Sequence, residues 1–189
     1  TPTEIGTPAA SDPLNSVARS FEVIPAGTTK VVRMDLAVDR LATLGSEGRS
    51  WVLSIGDVLL GATEPVRPVR QRDEAGRMRM VADLARPAQV HEFRDPVVGD
   101  LLKVVTAFPP ARGVVRNLDY VDFDLLRSVH GLVVRPENDT IEVTVEASNV
   151  MVDAKGGLAL SALDNPRPLI PPGLEANDDV GGGGGGGGG

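Results

Sequence analysis

The sequence predicts a mostly β protein, a sandwich- or barrel-like module of short strands that includes one short helix. Two strand-like runs within residues 77–108, together with regularly spaced turn signals elsewhere, favour this class. The first run, RMRMVADL, alternates the apolar residues Met78, Met80 and Ala82 with mostly polar ones, which is typical of a half-buried strand. The second run, LLKVVTAF at 101–108, is more continuously apolar and predicts a strand covered on both faces.

Turn-forming residues separate these two runs and end the second one. Asp95-Pro96 and Gly99-Asp100 favour a turn, which places Val97-Val98 in a tight connection. Pro109-Pro110 ends the second run, because proline cannot donate a hydrogen bond to a neighbouring strand.

Shorter strands are expected on both sides of this stretch. Segments rich in β-formers and bounded by turn residues predict strands at 21–24, 28–36, 50–60, 132–134, 141–145, 149–152 and 158–160. Segment 38–44 fits either a strand or one helical turn, broken by Gly45 and Gly48. Segment 64–72 contains two prolines and is expected to be a loop or an edge strand.

One short helix is predicted from Phe123 to His130. Asp122 stands where an N-cap residue would accept hydrogen bonds from the first turn. Gly131 stands where a helix commonly ends, because glycine tolerates the left-handed conformation found there.

The sequence divides into five parts by composition. We expect a flexible N-terminal linker at 1–20, a β-rich subregion at 21–76, a main β module at 77–163, an extended proline-rich segment at 164–180 and nine glycines at 181–189. The glycines indicate a tail or backbone without an assigned sequence, and no function is derived from them.

The composition excludes several function classes. The net charge is -7 without a basic patch, so a nucleic-acid partner is not expected. The absence of cysteine excludes disulfides, thiolate metal sites and cysteine catalysis. It is compatible with the bacterial envelope and with the cytoplasm alike. No apolar run is long enough for a membrane span.

Few residues suggest catalysis or metal binding. His91 and His130 could act as bases or metal ligands with a carboxylate, but surface or helix-end histidines are the favoured interpretation. The acidic residues Asp119, Asp122 and Asp124 lack the ligand spacing of a calcium loop, which favours capping and solvation. We therefore expect no catalytic residue, no cofactor and no metal. The residues 138–140, Asn-Asp-Thr, match a glycosylation sequon, a triplet that often arises by chance.

Partner binding is the more informative prediction. Five arginines form the main basic concentration and could provide a charged rim for an acidic partner, whereas apolar residues in the proline-spaced segment 165–180 could anchor it in a groove. The candidate partner-binding residues are Arg67, Arg70, Arg72, Arg77, Arg79, Leu169, Ile170 and Leu174.

Three segments carry a resemblance to a known group of proteins. VADLARPAQVHEFRDPVVGDLLKVVTAFPPARG, VHGLVVRP and GGLALS, within residues 77–161, resemble the N-terminal region of long alphaproteobacterial envelope proteins with tetratricopeptide repeats further along. Their β-rich part is similar in texture to AMIN-type modules, which localise periplasmic proteins to the cell wall. The resemblance implies a periplasmic location and transfers no catalytic residue.

The sequence therefore favours a non-catalytic structural or adaptor module of a periplasmic envelope assembly, for which a flagellar-motor scaffold would fit. Its expected partners are other proteins of that assembly or further copies of the chain. One alternative is a module that binds cell-wall glycan, although the aromatic residues that stack on sugars make up only 3% of the chain. A second alternative is a hydrolase, which would need an acid–base pair in a cleft.

Overall fold

The computed structural model describes residues 5–6, 8–27, 29–48, 50–56 and 63–160. The N-terminal part contains a short 3-10 helix, Pro13–Ser16, and two antiparallel hairpins. The hairpins are formed by β1 (Ala18–Ala26) with β2 (Thr29–Leu36), and by β3 (Leu41–Glu47) with β4 (Ser50–Gly56).

The rest of the described chain forms eleven strands and a larger core. These are β5 (Glu64–Pro65), β6 (Val69–Arg72), β7 (Met78–Asp83), β8 (Pro87–Arg94), β9 (Leu101–Ala107), β10 (Arg112–Gly113), β11 (Leu118–Asp119), β12 (Phe123–Leu126), β13 (Leu132–Pro136), β14 (Ile141–Glu146) and β15 (Asn149–Ala154). A five-stranded sheet has the order β11-β12-β13-β9-β8, and a four-stranded sheet has the order β14-β15-β7-β6. All neighbours in both sheets are antiparallel, whereas β5 and β10 form a two-residue parallel pair.

The two sheets share one apolar core, which makes the fold sandwich-like. Alternation along the strands sends one side chain inward and the next outward, as in β14, where Ile141 and Val143 are buried but Glu142 and Thr144 are exposed. The buried residues from both sheets are Met80, Ala82, Val105, Phe123, Leu125, Leu132, Val134, Ile141, Val143, Val150, Val152 and Ala154. The predicted mostly β, sandwich-like class is confirmed.

The stretch around residues 77–108 behaves largely as predicted. Its two runs are β7 and β9, and β8 forms a hairpin with β9. The Asp95 side chain accepts a hydrogen bond from the Val97 N–H, and its carbonyl accepts one from the Gly99 N–H, which confirms the tight connection. Strand β9 is less covered than predicted, because only Val105 is fully buried along it.

The helix predicted at 123–130 is wrong, because Phe123 begins strand β12. Phe123 and Leu125 are buried in the core, and Asp124 between them ion-pairs with Arg135, so the segment follows a period of two. Asp122 accepts a hydrogen bond from the Ala159 N–H instead of capping a helix. The helical element of the described residues is the 3-10 helix, within the segment predicted as an N-terminal linker.

Several smaller boundaries also differ from the prediction. Strand β3 runs through Gly45 to Glu47. Segment 158–160 is irregular, although the Leu158 N–H donates to the Met78 carbonyl and the Leu158 side chain is buried. Strand β6 is an edge strand, as the prolines predicted.

The predicted division at residue 76 falls in the turn between β6 and β7, which are neighbours in one sheet. Segments 164–180 and 181–189, together with residues 57–60 of a predicted strand, lie outside the described residues.

Substituting Gly131 should strongly destabilise the fold. Gly131 has a φ of 75°, and a Cβ atom added there would lie 2.3 Å from the Val105 carbonyl oxygen. We expect Gly131→Ala to lower the free energy of unfolding by about 2 kcal/mol or more, since backbone strain and a backbone clash add together. The measurement is urea denaturation followed by circular dichroism.

Gly156 provides the matched control. A Cβ atom there would meet nothing within 4 Å, so Gly156→Ala should change the free energy of unfolding by no more than about 0.5 kcal/mol. Equal stability of the two variants would contradict the close approach of Gly131 to β9.

Candidate functional site

The predicted arginine cluster (Arg67, Arg70, Arg72, Arg77 and Arg79) lies on and around the edge strand β6. Arg70 pairs with Met80 of β7, and Arg72 pairs with Met78. Directly opposed residues point to the same face of a sheet, so Arg70 and Arg72 lie on the core side of an edge strand. Inward-pointing charges on an edge oppose the addition of another strand. This part of the cluster therefore protects the edge from pairing.

Two of the arginines stabilise the turn between β6 and β7. Arg72 donates to the Gly76 carbonyl at 2.9 Å, and Arg77 donates to both the Asp73 carboxylate at 2.7 Å and the Lys155 carbonyl at 3.2 Å. The hydrogen bond from the Arg77 backbone N–H is the largest cause that holds the pKa of the Asp73 carboxyl below its usual value; burial opposes it, and the Arg77 guanidinium lowers the pKa further. These contacts stabilise the hairpin itself.

The remaining members do not complete a continuous charged rim. Arg79 lies on the outer face of the sheet, where it donates to the Gln71 side chain at 3.0 Å, and Arg67 is exposed in the loop before β6. The cluster is thus divided between the two faces of one sheet. The three apolar candidates Leu169, Ile170 and Leu174 lie outside the described residues, and a partner-binding role for all eight residues stays a prediction.

The acidic residues Asp122 and Asp124 make separate contacts, and Asp119 is exposed. Asp124 is 7% exposed and pairs with Arg135, which also approaches Asp100 at 3.5 Å. Hydrogen bonding to the Asp124 carboxylate raises the pKa of the Arg135 guanidinium. Among the residues that the structure describes, no group of three or more His, Cys, Asp or Glu side chains could hold a metal ion.

Neutralising Arg135 should destabilise the five-stranded sheet. Arg135→Met keeps most of the aliphatic stem but leaves the buried Asp124 carboxylate without its partner, so we expect a loss of about 2 kcal/mol in the free energy of unfolding. The control is Asp119→Ala, which removes the exposed carboxylate opposite Asp124 in β11 and should change stability by less than about 0.5 kcal/mol. Urea denaturation of both variants checks this, and equal effects would contradict the assigned pairing.

His130 has a structural role. Its Nδ1 accepts a hydrogen bond from the Arg112 N–H at 3.2 Å, and its Nε2 lies 3.0 Å from the Ala107 carbonyl oxygen, to which it donates. Its ring packs against Trp51 with centroids 5.0 Å apart. Both ring nitrogens therefore make hydrogen bonds, one to the first residue of β10 and one to the last residue of β9, and the ring packs against the β3–β4 hairpin.

His91 lies in a different environment, with β9 between the two histidines. It is on the outer face of β8, where its Nε2 lies 3.4 Å from the Thr106 hydroxyl oxygen, and that hydroxyl donates to the Gln89 carbonyl at 3.2 Å. His91 borders a cavity of about 400 Å³ between the β8–β9 pair and the end of the β1–β2 hairpin. The lining residues are Ala26, Thr29, Lys30, Val31, His91, Glu92, Phe93, Val104 and Thr106.

The β3–β4 hairpin presents large apolar side chains to solvent on both of its faces. The exposed fractions are 45% for Trp51, 46% for Leu53, 38% for Val52 and 40% for Leu41. Trp51 and Leu53 share one face, whereas Val52 and Leu41 lie on the other. Within the described residues this sheet has only two strands, so both outer edges lack a strand partner there. The sequence predicted a strand at 50–60 but could not distinguish an apolar face packed against a core from one left exposed.

The sequon lies in an exposed turn between β13 and β14. The Asn138 side-chain oxygen accepts hydrogen bonds from the Thr140 N–H at 3.0 Å and from its hydroxyl group. These contacts account for the Asn–x–Thr pattern as turn chemistry.

Comparison with known proteins adds no family to this description: no family model, no curated protein and no solved structure matches the chain. In the part of the chain that the structure describes, no helix has both the length and the apolar character needed to cross a membrane. The fold therefore defines the class, a sandwich-like β module with two additional N-terminal hairpins.

Proposed function

We propose that this chain is a non-catalytic structural or adaptor module that binds another protein through the β3–β4 hairpin. The location proposed is the periplasm, within an envelope assembly such as a flagellar-motor scaffold. Support for the location comes from the resemblance of segments within 77–161 to envelope proteins with tetratricopeptide repeats. Support for the binding role comes from the hairpin.

The observation that carries the proposal is the exposure of Trp51, Leu53, Val52 and Leu41 on one two-stranded element. Single exposed apolar residues are normal, whereas large ones grouped together mark an interaction surface, and each face of the hairpin carries two of these four. Fully burying one such side chain contributes roughly 1.5–3 kcal/mol, so covering the half that is still exposed would contribute about 1 kcal/mol each. A partner that covers one face of the hairpin would therefore gain about 2 kcal/mol from its two apolar side chains.

The strand edges also favour the β3–β4 hairpin as the binding element. The β6 edge carries arginines directed toward the core side, which oppose pairing, whereas β3 and β4 carry no charged residue other than Glu47. A partner strand added to this hairpin would gain main-chain hydrogen bonds along with the apolar contacts. The hairpin therefore suits strand addition better than the β6 edge does.

The surroundings of the two histidines support a non-catalytic role. His130 uses both ring nitrogens for backbone contacts, and the polar contact of His91 is the Thr106 hydroxyl rather than a carboxylate. The neighbouring Glu92 instead lies 3.2 Å from the Lys103 ammonium nitrogen. A hydrolase would need a carboxylate or another base positioned beside a nucleophile.

The binding role can be tested by site-specific photo-crosslinking in the native cell. A photoreactive phenylalanine analogue at position 52 should give one defined adduct, because Val52 lies on the proposed surface. The additional substitution Leu41→Ser, on the same face as Val52, should reduce the adduct yield about tenfold, since truncating one buried interface leucine costs on the order of 1–2 kcal/mol.

The control position is Val97, which is 64% exposed in the turn between β8 and β9. A photoreactive residue at position 97 should not give the adduct seen at position 52, and Val97→Ser should leave that adduct unchanged. The same adducts at both positions, or a yield at position 52 that Leu41→Ser does not reduce, would refute the hairpin as the binding surface.

Glycan binding is the second candidate, and the exposed ring of Trp51 is the observation that favours it. Aromatic rings stack on sugars, and Trp51 is the single tryptophan of the chain, so its fluorescence reports directly on this surface. If the hairpin binds protein, titration with soluble peptidoglycan fragments should leave the tryptophan emission unchanged. A saturable change, retained in Leu41→Ser, would favour the glycan function over the adaptor function.

A further inference from the structure

The outer edge of strand β4 is open along the first part of the strand. Its first four residues, Ser50, Trp51, Val52 and Leu53, are all exposed. Within the described residues β4 pairs with β3 alone, so its other edge has no strand beside it there. An exposed, apolar and unpaired edge of this kind can accept another strand.

The backbone groups at this edge follow from the register of the hairpin. Glu47 and Ser50 form the last pair of the β3–β4 ladder, with two residues between them. The closing pair of such a turn exchanges hydrogen bonds, and successive residues of an antiparallel strand direct their N–H and C=O groups to alternate sides. Val52 therefore bonds to β3, whereas the N–H and C=O groups of Trp51 and Leu53 point to the open edge.

The side chains of β4 are compatible with those of a second β4. Antiparallel pairing about a two-fold axis at Val52 places Trp51 of one copy opposite Leu53 of the other. It also places Ser50 opposite Ser54, and the two Val52 side chains opposite each other. Strand β4 has no charged residue, so this pairing opposes no like charges, although the whole chain has a net charge of -7.

The surroundings of β4 favour a short overlap over one that uses the whole strand. The 3-10 helix borders the second half of β4, where it encloses a small cavity beside Leu53 and Ile55. Pairing about Val52 uses residues 50–54 and leaves Ile55 outside the overlap. The two-fold axis is therefore placed at Val52.

We propose that two copies of this chain pair edge to edge through β4, antiparallel about a two-fold axis at Val52, so that their hairpins form one four-stranded sheet. Two-fold pairing uses the same surface of both copies, so pairing through β4 closes after two. It is separate from the proposed binding of another protein, since the hairpin face that carries Leu41 stays available.

The first test is sedimentation velocity on the purified full chain. The chain should dimerise with a dissociation constant of about 100 µM, as suits a small interface. Val52→Lys should weaken the dimer at least tenfold, because two like charges would stand directly opposite each other at the axis. An equimolar mixture of Val52→Lys and Val52→Glu should restore dimerisation, whereas Val52→Glu alone should not. Leu41→Ser, which lowers the adduct yield expected for a protein partner, should leave the dimer unchanged.

Disulfide cross-linking tests the register directly, because the chain contains no cysteine. Val52→Cys should form a linked dimer under mild oxidation, since opposed residues that exchange no hydrogen bonds have Cα atoms about 4.5 Å apart, within reach of a disulfide. Ser50→Cys and Ser54→Cys should cross-link with each other in a mixture but not alone. Val97→Cys, exposed in the turn between β8 and β9, is the control for random collision and should cross-link at least tenfold more slowly.

The outcomes separate pairing of copies from binding of another protein. A monomer at every concentration up to about 1 mM, or a dimer that Val52→Lys does not weaken, overturns the proposal. Cross-linking at position 52 no faster than at position 97, or of Ser50→Cys with itself, also overturns it. The cysteine variants keep the test decisive if Val52→Lys disturbs the hairpin.

The photo-crosslinking experiment in the cell completes the separation. A chain that stays monomeric but gives the adduct with another protein that depends on Leu41 overturns the pairing of copies and leaves the proposed function intact. A dimer with the expected register and no such adduct supports the pairing and counts against the proposed function.

Discussion

The apolar layer shared by the five-stranded and four-stranded sheets is the constraint on which the rest of the structure depends. It is built almost entirely from aliphatic residues, with Phe123 as its largest fully buried side chain. A slip of one residue in β12 would turn Phe123 and Leu125 outward and bring Asp124 into the core. Burial on one face and the Asp124–Arg135 pair on the other therefore fix the same register.

Because the inner faces of the two sheets form this core, the surfaces available for binding are the outer faces and the strand edges. Two strand edges differ in the side chains that they carry. Strand β6 carries arginines on its core side, whereas the β3–β4 hairpin leaves apolar side chains such as Trp51 and Val52 exposed. The outer face of β8 and β9 is covered in part by the β1–β2 hairpin, and the cavity lies where that cover is incomplete. The N-terminal hairpins thus provide the proposed protein-binding surface and one wall of this cavity.

The sequence was least informative about these surfaces, for a physical reason. The arginine cluster is contiguous in sequence, but pairing between β6 and β7 places Arg72 and Arg79 on opposite faces of the sheet. The cavity between the β1–β2 hairpin and β8–β9 combines residues from 26–31, 91–93 and 104–106, and no local pattern relates segments that far apart. The exposure of Trp51 likewise depends on what packs over the hairpin and not on its own alternation.

By itself the sequence determined the β class, the turns and the strands whose alternation is long enough to exclude a helix. Ile141–Glu146 is such a strand, and the Asp95 turn is set by local hydrogen bonds. Only the tertiary structure decided β12, because Phe123–Leu126 is four residues long and fits a period of two or of 3.6 equally well. Pairing with β13 and burial in the shared core supply the non-local energy that selects the strand. The same non-local packing, which no short segment encodes, forms the cavity.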